Sequence, residues 1–173
     1  MPPKSNKIST KWVQWRIQDD ERLCQLCESR KNIVIPIAQS SECPLHPNCR
    51  CWLDKVGILT AGEVTNEGKD GADYWIRHKG KLPDKYITKE EARPLGWVRK
   101  RQNLAEVAPG KVFGGDIFTN DKNAVPKKPG RIWYEADINS TTEERGLARI
   151  VYSNDGLMFA TYDHYRTLYE IID

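Results

Sequence analysis

No apolar run in this chain approaches the ~18–20 residues that a bilayer helix needs, so no membrane span is expected. Behind the start Met1-Pro2-Pro3-Lys4-Ser5-Asn6-Lys7 there is no apolar stretch of the kind a secretory signal carries, so export is expected to depend on another carrier. No internal repeat and no low-complexity tract breaks the chain into arrays. A large charge of one sign is also lacking. Lys and Arg number 27 against 24 Asp and Glu, a net +3, which permits a nucleic-acid partner without requiring one. What is there suffices for one or two small packed domains: 173 residues, 29% charged and 39% apolar.

Cysteine is missing from everything after Cys51. All 5 cysteines (24, 27, 43, 49 and 51) lie in the first third. An odd, clustered set with Cys-x-x-Cys spacing reads as a metal site rather than a secreted disulfide framework. The asymmetry suggests two modules. Before Cys43, the spacing of Trp12, Val13, Trp15, Ile17, Leu23 and Leu26 predicts an amphipathic helix from Ser9 to about Arg30. Asn32 to Ile37 is β-branched and broken by Pro36, which predicts an edge strand or extended segment. Trp52-Leu53 predicts a short strand, and the Gly-rich, charged stretch 56–70 predicts a linker.

Beyond residue 70 a helix is expected over Ala72–Lys79, and Thr88-Lys89-Glu90-Glu91 has the form of a capping box. After Pro109-Gly110 the texture turns to strand: Ile117-Phe118, Arg131–Ile138, Ala148–Tyr152, Leu157–Tyr162 and Thr167–Ile172, with turn residues between. Helices followed by a run of strands predict an α+β fold, N-terminal helices packed on an antiparallel sheet.

Within these strands Glu135 sits among aromatic residues, Arg145 and Arg149 straddle the next turn, and His164 is the only histidine after Pro109. A carboxylate, an imidazole and fixed cations are the groups that phosphodiester transesterification needs: a base for a ribose 2′-OH, an acid for the leaving 5′-oxygen, and charge for the phosphoryl oxygens. On residue types alone, a strand Glu paired with an Arg is more often structural, so that reading stays open.

The stretches Leu82–Lys89, Leu95–Val98, Asn103–Lys111, Gly114–Phe118, Gly130–Asn139, Arg149–Ser153 and Asp163–Tyr165 together resemble barnase-type microbial ribonucleases over nearly all of residues 71–173. The resemblance implies the microbial ribonuclease fold and a metal-independent endoribonuclease that forms a 2′,3′-cyclic phosphate. It implies Glu135 as general base, His164 as general acid, and Lys89, Arg145 and Arg149 as cations around the phosphate. Tyr165 would line that site, and Asn103, Asp116 and Asp137 would support it. The loop Phe118, Thr119, Asn120, Asp121 would hold the base. Here the sequence departs from the family, whose loop reads Ser-Asn-Arg-Glu with Glu accepting from guanine. Lys122 stands at that position and is a donor only. Asp121 is the substitute acceptor nearby.

Cys24, Cys27, His46, Cys49 and Cys51 offer more soft ligands than the four a structural zinc needs, with Cys43 the expected spare. Disulfides remain the alternative; a redox pair lacks the surrounding βαβ pattern. Residues 19–53, ending in His46-Pro47-Asn48-Cys49-Arg50-Cys51, resemble the C-terminal segment of Mu-like phage head-morphogenesis (minor head) proteins. The resulting layout is a Cys/His adaptor over 1–55, a linker over 56–70 and a ribonuclease domain over 71–173. The function expected is an RNA-cleaving toxin, made in a bacterial cytoplasm, delivered by a larger phage-like or toxin system, and restrained by an acidic barstar-like immunity protein. The alternative is an inactive ribonuclease-fold protein with a phage-structural or nucleic-acid-binding role.

Overall fold

The computed structural model describes residues 2–140 and 145–173. Nine strands form one sheet: β1 (Ile8–Arg16), β2 (Val34–Pro36), β3 (Trp52–Thr60), β4 (Tyr86–Ile87), β5 (Val112–Phe118), β6 (Trp133–Asp137), β7 (Arg149–Ser153), β8 (Met158–Thr161) and β9 (Tyr169–Ile172). Their spatial order is β2-β1-β3-β9-β8-β7-β6-β5-β4. The run from β9 back to β5 is an antiparallel meander, as expected. Two pairs, β3 with β9 and β4 with β5, are parallel, so the sheet is mixed rather than antiparallel. The helices are short: α1 (Gln25–Glu28), α2 (Ala72–Lys79), α3 (Lys89–Ala92) and α4 (Leu104–Val107).

The helix expected from Ser9 to Arg30 is largely a strand. In β1, Val13 and Trp15 face Ile33 and Ile35, while Trp12, on the other face, meets the Phe159 ring edge-on at 5.9 Å. A strand covered on both faces loses its alternation, and its apolar spacing then imitates a helix. Only Gln25–Glu28 is α-helical there, with the Cys24 thiol capping it. The expected strand near Ile33–Ile37 is β2, paired to β1 with Val13 opposite Ile35.

Residues 56–60, expected to open a linker, instead continue β3, whose Gly57–Thr60 pair with Tyr169–Ile172. The glycines misled here. Gly57 is in the strand because Tyr169 lies where a Cβ would be, 2.9 Å from the ring. The following turn is anchored by buried Asp73, whose carboxylate accepts from the backbone N–H of Gly62 and Val64 and from the Thr65 hydroxyl. Helix α2 has the expected bounds and stops at Gly80, at φ 68°. Thr88 and Glu91 form the expected capping box of α3.

The core joins the two halves. Val34 and Val56 share one buried cluster with Trp133, Val151, Phe159 and Leu168. Leu59 and Val64 share another with Ala72, Ile138, Ile150, Met158 and Ile171. Ser9 donates to the buried Glu170 carboxylate at 2.6 Å. A shared core predicts shared unfolding. Urea denaturation followed by tryptophan fluorescence and by circular dichroism is expected to give one coincident transition. Phe159→Ala should lower its free energy by about 3–5 kcal/mol, and two separate wild-type transitions would contradict the shared core.

Candidate active site

Strand alternation and register assemble the site. Trp133, Glu135 and Asp137 project from one face of β6. Glu135 lies opposite Asp116 on β5 and Val151 on β7; Asp137 lies opposite Arg149, which lies opposite Thr161 on β8. One sheet face therefore carries three carboxylates and a guanidinium across three strands, with Thr161 beside them on a fourth. A bulge places Asp116: the register shifts between Gly114 and Asp116, and Gly115 occupies φ 94°, a conformation that suits glycine.

Two carboxylates directly opposite on neighbouring strands repel, and Lys89 answers this. Its Nζ lies 3.2 Å from Glu135 Oε1 and 3.5 Å from Asp116 Oδ2. Lys89 opens α3, and its backbone N–H donates to both Asp116 oxygens at 3.2 Å. The capping box thus sets where Lys89 points. The Tyr165 hydroxyl donates to the other Glu135 oxygen at 3.0 Å. Burial, then the Glu135 carboxylate, push the Tyr165 phenol well above its usual pKa, so it remains a donor.

Asp137 holds both arginines. Arg149 Nε sits 2.9 Å from Oδ1, and Arg145 grips the same carboxylate through Nε and Nη2. The side chains of Asp137 and Arg149 are only 3% and 6% exposed, and that of Arg145 is 42% exposed. Hydrogen bonding to Asp137 raises the Arg145 pKa, whereas burial lowers that of Arg149. Both stay cationic. Arg149 also donates to the carbonyls of Gly146 and Ala148, and Arg145 remains the more accessible of the two.

His164 is exposed, on a loop where it and Tyr165 both have left-handed backbone, φ 55° and 70°. Thr161 Oγ1 accepts from the Tyr165 N–H, and Asp163 accepts from Thr161 and from the Thr167 N–H. The Tyr165 ring stacks on Phe118 at 5.1 Å and meets the His164 ring edge-on at 5.3 Å. Tyr165 thereby links Glu135, His164 and the loop after β5. Beside that loop, Phe118, Thr119, Lys127, Lys128, Arg131 and Trp133 line a cleft of about 540 Å³. Its rim is cationic.

A family model described as ribonuclease matches residues 68–171, more than half of the chain. The chain belongs to the ribonuclease family. A ribonuclease of Heyndrickxia coagulans is 54% identical over 108 residues, 62% of this chain and 98% of that one. A ribonuclease of Bacillus intermedius has the same identity over 108 residues, spanning 66% of its length. The crystal structure of ribonuclease Sa2 with guanosine-2'-cyclophosphate overlaps with a TM-score of 0.33 and 20% identity, over 68% of this chain and 96% of that one, too distant to inform the geometry.

This microbial ribonuclease gathers most of the residues singled out in its sequence. Lys89, Asp116, Glu135 and Tyr165 form one contact group; Asp137, Arg145 and Arg149 form a second. Asn103 bonds instead to the Val98 N–H and the Gly96 carbonyl, bracing its own loop. The Asn120 side chain is buried and spent on both backbone groups of Val125. Asp121 is exposed and accepts from the Thr119 hydroxyl. Sequence reasoning missed Thr161 and Asp163 as loop anchors, as well as Gln14 and Arg16, which reach the same loop from β1. No sequence signal tied β1 to residue 166.

Removing charge from Asp137 leaves two guanidiniums against no anion, one of them buried. Asp137→Asn is expected to cost about 3–5 kcal/mol of stability in urea titrations and to depress RNA cleavage below what unfolding explains. A variant as stable as the wild type would contradict this account of the pair.

Proposed function

We propose that this enzyme cleaves RNA by metal-independent transesterification. The carrying observation is Glu135: a carboxylate held by Lys89 Nζ at 3.2 Å and the Tyr165 hydroxyl at 3.0 Å, on the sheet face that bears Asp137 and its arginines. Glu135 takes the proton of a ribose 2′-OH as that oxygen attacks phosphorus. The His164 imidazolium gives its proton to the departing 5′-oxygen, leaving a 2′,3′-cyclic phosphate. Water then opens the ring with the two roles exchanged. Lys89, Arg145 and Arg149 stabilise negative charge on the phosphoryl oxygens, the electrostatic task that metal ions perform in other phosphodiesterases.

Base choice falls to the loop Phe118–Lys122, where Phe118 stacks beside Tyr165 and main-chain amides meet a base carbonyl. Lys122 cannot accept from guanine N–H groups, and Asp121 is engaged with Thr119. We read the base preference as relaxed, because no buried carboxylate is left unpaired by a wrong base. The wider reading is a toxin: a domain made in a bacterial cytoplasm and delivered by a phage-like or toxin system. Its producer's RNA would be protected by an acidic, barstar-like protein docking over Lys89, Arg145, Arg149 and His164. The Cys/His knuckle we read as a structural zinc site, remote from this chemistry.

The test is cleavage of GpA, ApA, UpA and CpA. Wild type should cut all four with less than about 10²-fold preference, following a bell-shaped pH profile as base and acid each need one protonation state. Glu135→Gln and His164→Ala should lower every rate by about 10²–10⁴-fold in folded protein, and Lys122→Glu should shift preference toward GpA. Full activity in Glu135→Gln would overturn the mechanism; strong guanine preference in the wild type would overturn the loop reading alone.

A further inference from the structure

We infer that Cys24, Cys27, His46 and Cys49 bind one zinc ion as a closed tetrahedral site. This rests on the structural-zinc reading of the knuckle and assigns its ligands. The distances among these side chains carry it. His46 Nε2 lies 3.3 Å from Cys24 Sγ and 3.2 Å from Cys27 Sγ, and Cys27 Sγ lies 3.7 Å from Cys49 Sγ. A zinc tetrahedron with ordinary bond lengths has sulfur–sulfur edges of about 3.8 Å and sulfur–nitrogen edges of about 3.6 Å. One ring nitrogen close to two sulfurs accepts one S–H at most, so the second thiol proton must turn away from it. A shared cation satisfies all of them.

The backbone is arranged to suit. Cys24 caps α1 and accepts from the Cys27 N–H at 3.4 Å, which turns both thiols of the Cys-x-x-Cys to one side. The Cys49 N–H donates to the His46 carbonyl at 3.1 Å, closing a turn in which Asn48 has φ 64°. That turn brings His46 and Cys49 together. His46 Nδ1 is 2.8 Å from the Pro47 carbonyl, which places the ring proton there and leaves the Nε2 lone pair toward the thiols. Arg22 and Arg50 line the small cavity of about 30 Å³ with Cys24, Cys27, His46 and Cys51, and Arg50 is paired to Asp20. Two cations suit a centre whose three thiolates outweigh the zinc charge by one.

Five cysteines compete for three seats. Cys43 and Cys51 pack against the cluster of Val13, Trp15, Ile33 and Ile35, and Cys43 stands outside both groups of converging donors. Cys27, Cys49 and Cys51 converge within 4.8 Å of one another, and Cys49 is assigned the fourth corner because its sulfur lies 3.7 Å from Cys27 Sγ, the length of a tetrahedral edge. Three sulfurs and one imidazole in a tetrahedron select zinc among the common divalent ions.

The full chain, purified without chelator, should carry one zinc by native mass spectrometry. Zinc-edge absorption should give three sulfurs near ~2.3 Å and one nitrogen near ~2.0–2.1 Å. Cys49→Ser should reduce zinc affinity roughly tenfold or more, while Cys43→Ser and Cys51→Ser keep the ion. Absence of zinc, with the mass of oxidised cysteine pairs, would overturn the zinc reading itself. Four sulfurs and no nitrogen in the wild type, or loss in Cys51→Ser with retention in Cys49→Ser, would overturn the ligand set and leave zinc standing.

We also propose, on separate contacts, that Gln14 and Arg16 are positioning residues for the His164 loop. Gln14 is 2% exposed; its amide donates to the Arg166 carbonyl at 3.2 Å and accepts from the Leu168 N–H at 3.2 Å. Arg16 donates to the same Arg166 carbonyl. Both lie outside the family-matched residues 68–171, so this chain adds a clamp to the exit of a loop bent through two left-handed residues. The proposal rests on His164 acting as the acid. With RNA dinucleotides, Gln14→Ala is expected to lower kcat about 10-fold to 10²-fold at nearly constant KM and to move the alkaline limb of the pH profile. Gln14→Met, which fills the same space and makes none of these hydrogen bonds with the Asn32 and Arg166 carbonyls, should lose as much as Gln14→Ala. Arg16→Gln, more exposed, should show a smaller loss of the same kind. Unchanged kcat and pH profile in Arg16→Gln and in folded Gln14→Ala, with His164→Ala inactive, would overturn the clamp alone; activity in His164→Ala would overturn the acid assignment.

Discussion

A buried carboxylate needs a cation, and burying a guanidinium needs a carboxylate; the pairing of Asp137 with Arg149 meets both needs in one place. The rest of the site is arranged around it. Because Asp137 and Arg149 sit opposite each other across β6 and β7, the register of those strands is pinned, and a slip of one residue would put the two charges on opposite faces. With that register held, Glu135 projects two residues earlier on the same face, and Thr161 stands opposite Arg149 at the root of the His164 loop. The same carboxylate also binds Arg145, 8 residues on in the chain. The charges proposed to handle a phosphate are thus the charges that fix the strand pairing.

The sheet solves a second problem with the residues before 61. A meander ending at β9 has an open edge there, and open edges invite pairing with other chains. In this protein β3 covers that edge in parallel, and β1 and β2 extend it further. The covering strands bring Val34, Val56 and Leu59 into the two main clusters and place Gln14 against the loop exit. The N-terminal segment is built into the enzyme's sheet, a closer union than two modules joined by a flexible tether.

Helix α2, the capping box at Thr88 and the strands from β6 to β9 were legible because their signals are local: cap chemistry, short strands with alternation, and turn residues at their ends. The candidate site residues Lys89, Glu135, Arg145, Arg149 and His164 were singled out through resemblance to a known family. Strand β1 was illegible because both its faces are covered, which erases the period that distinguishes strand from helix. Strand β3 was hidden by Gly57 and Gly62, residues that read as linker but serve a close ring contact and a left-handed turn. Asn103 was read as a supporting residue and Asn120 as part of the base-holding loop; which backbone groups their amides satisfy was not legible.

The sequence by itself determined which chemical groups are available: one strand glutamate between aromatic residues, two arginines about a turn, a histidine near the end, and a lysine where an acceptor was expected. It also determined that Cys24, Cys27, His46 and Cys49 come as paired donors. What only the tertiary structure decided is which of these meet. Glu135 and Tyr165 are thirty residues apart in the chain, and Gln14 lies more than a hundred and fifty residues from the carbonyl it holds. Such contacts depend on strand order and register, and those are set by burial summed over the whole sheet, a quantity that no local stretch of sequence contains.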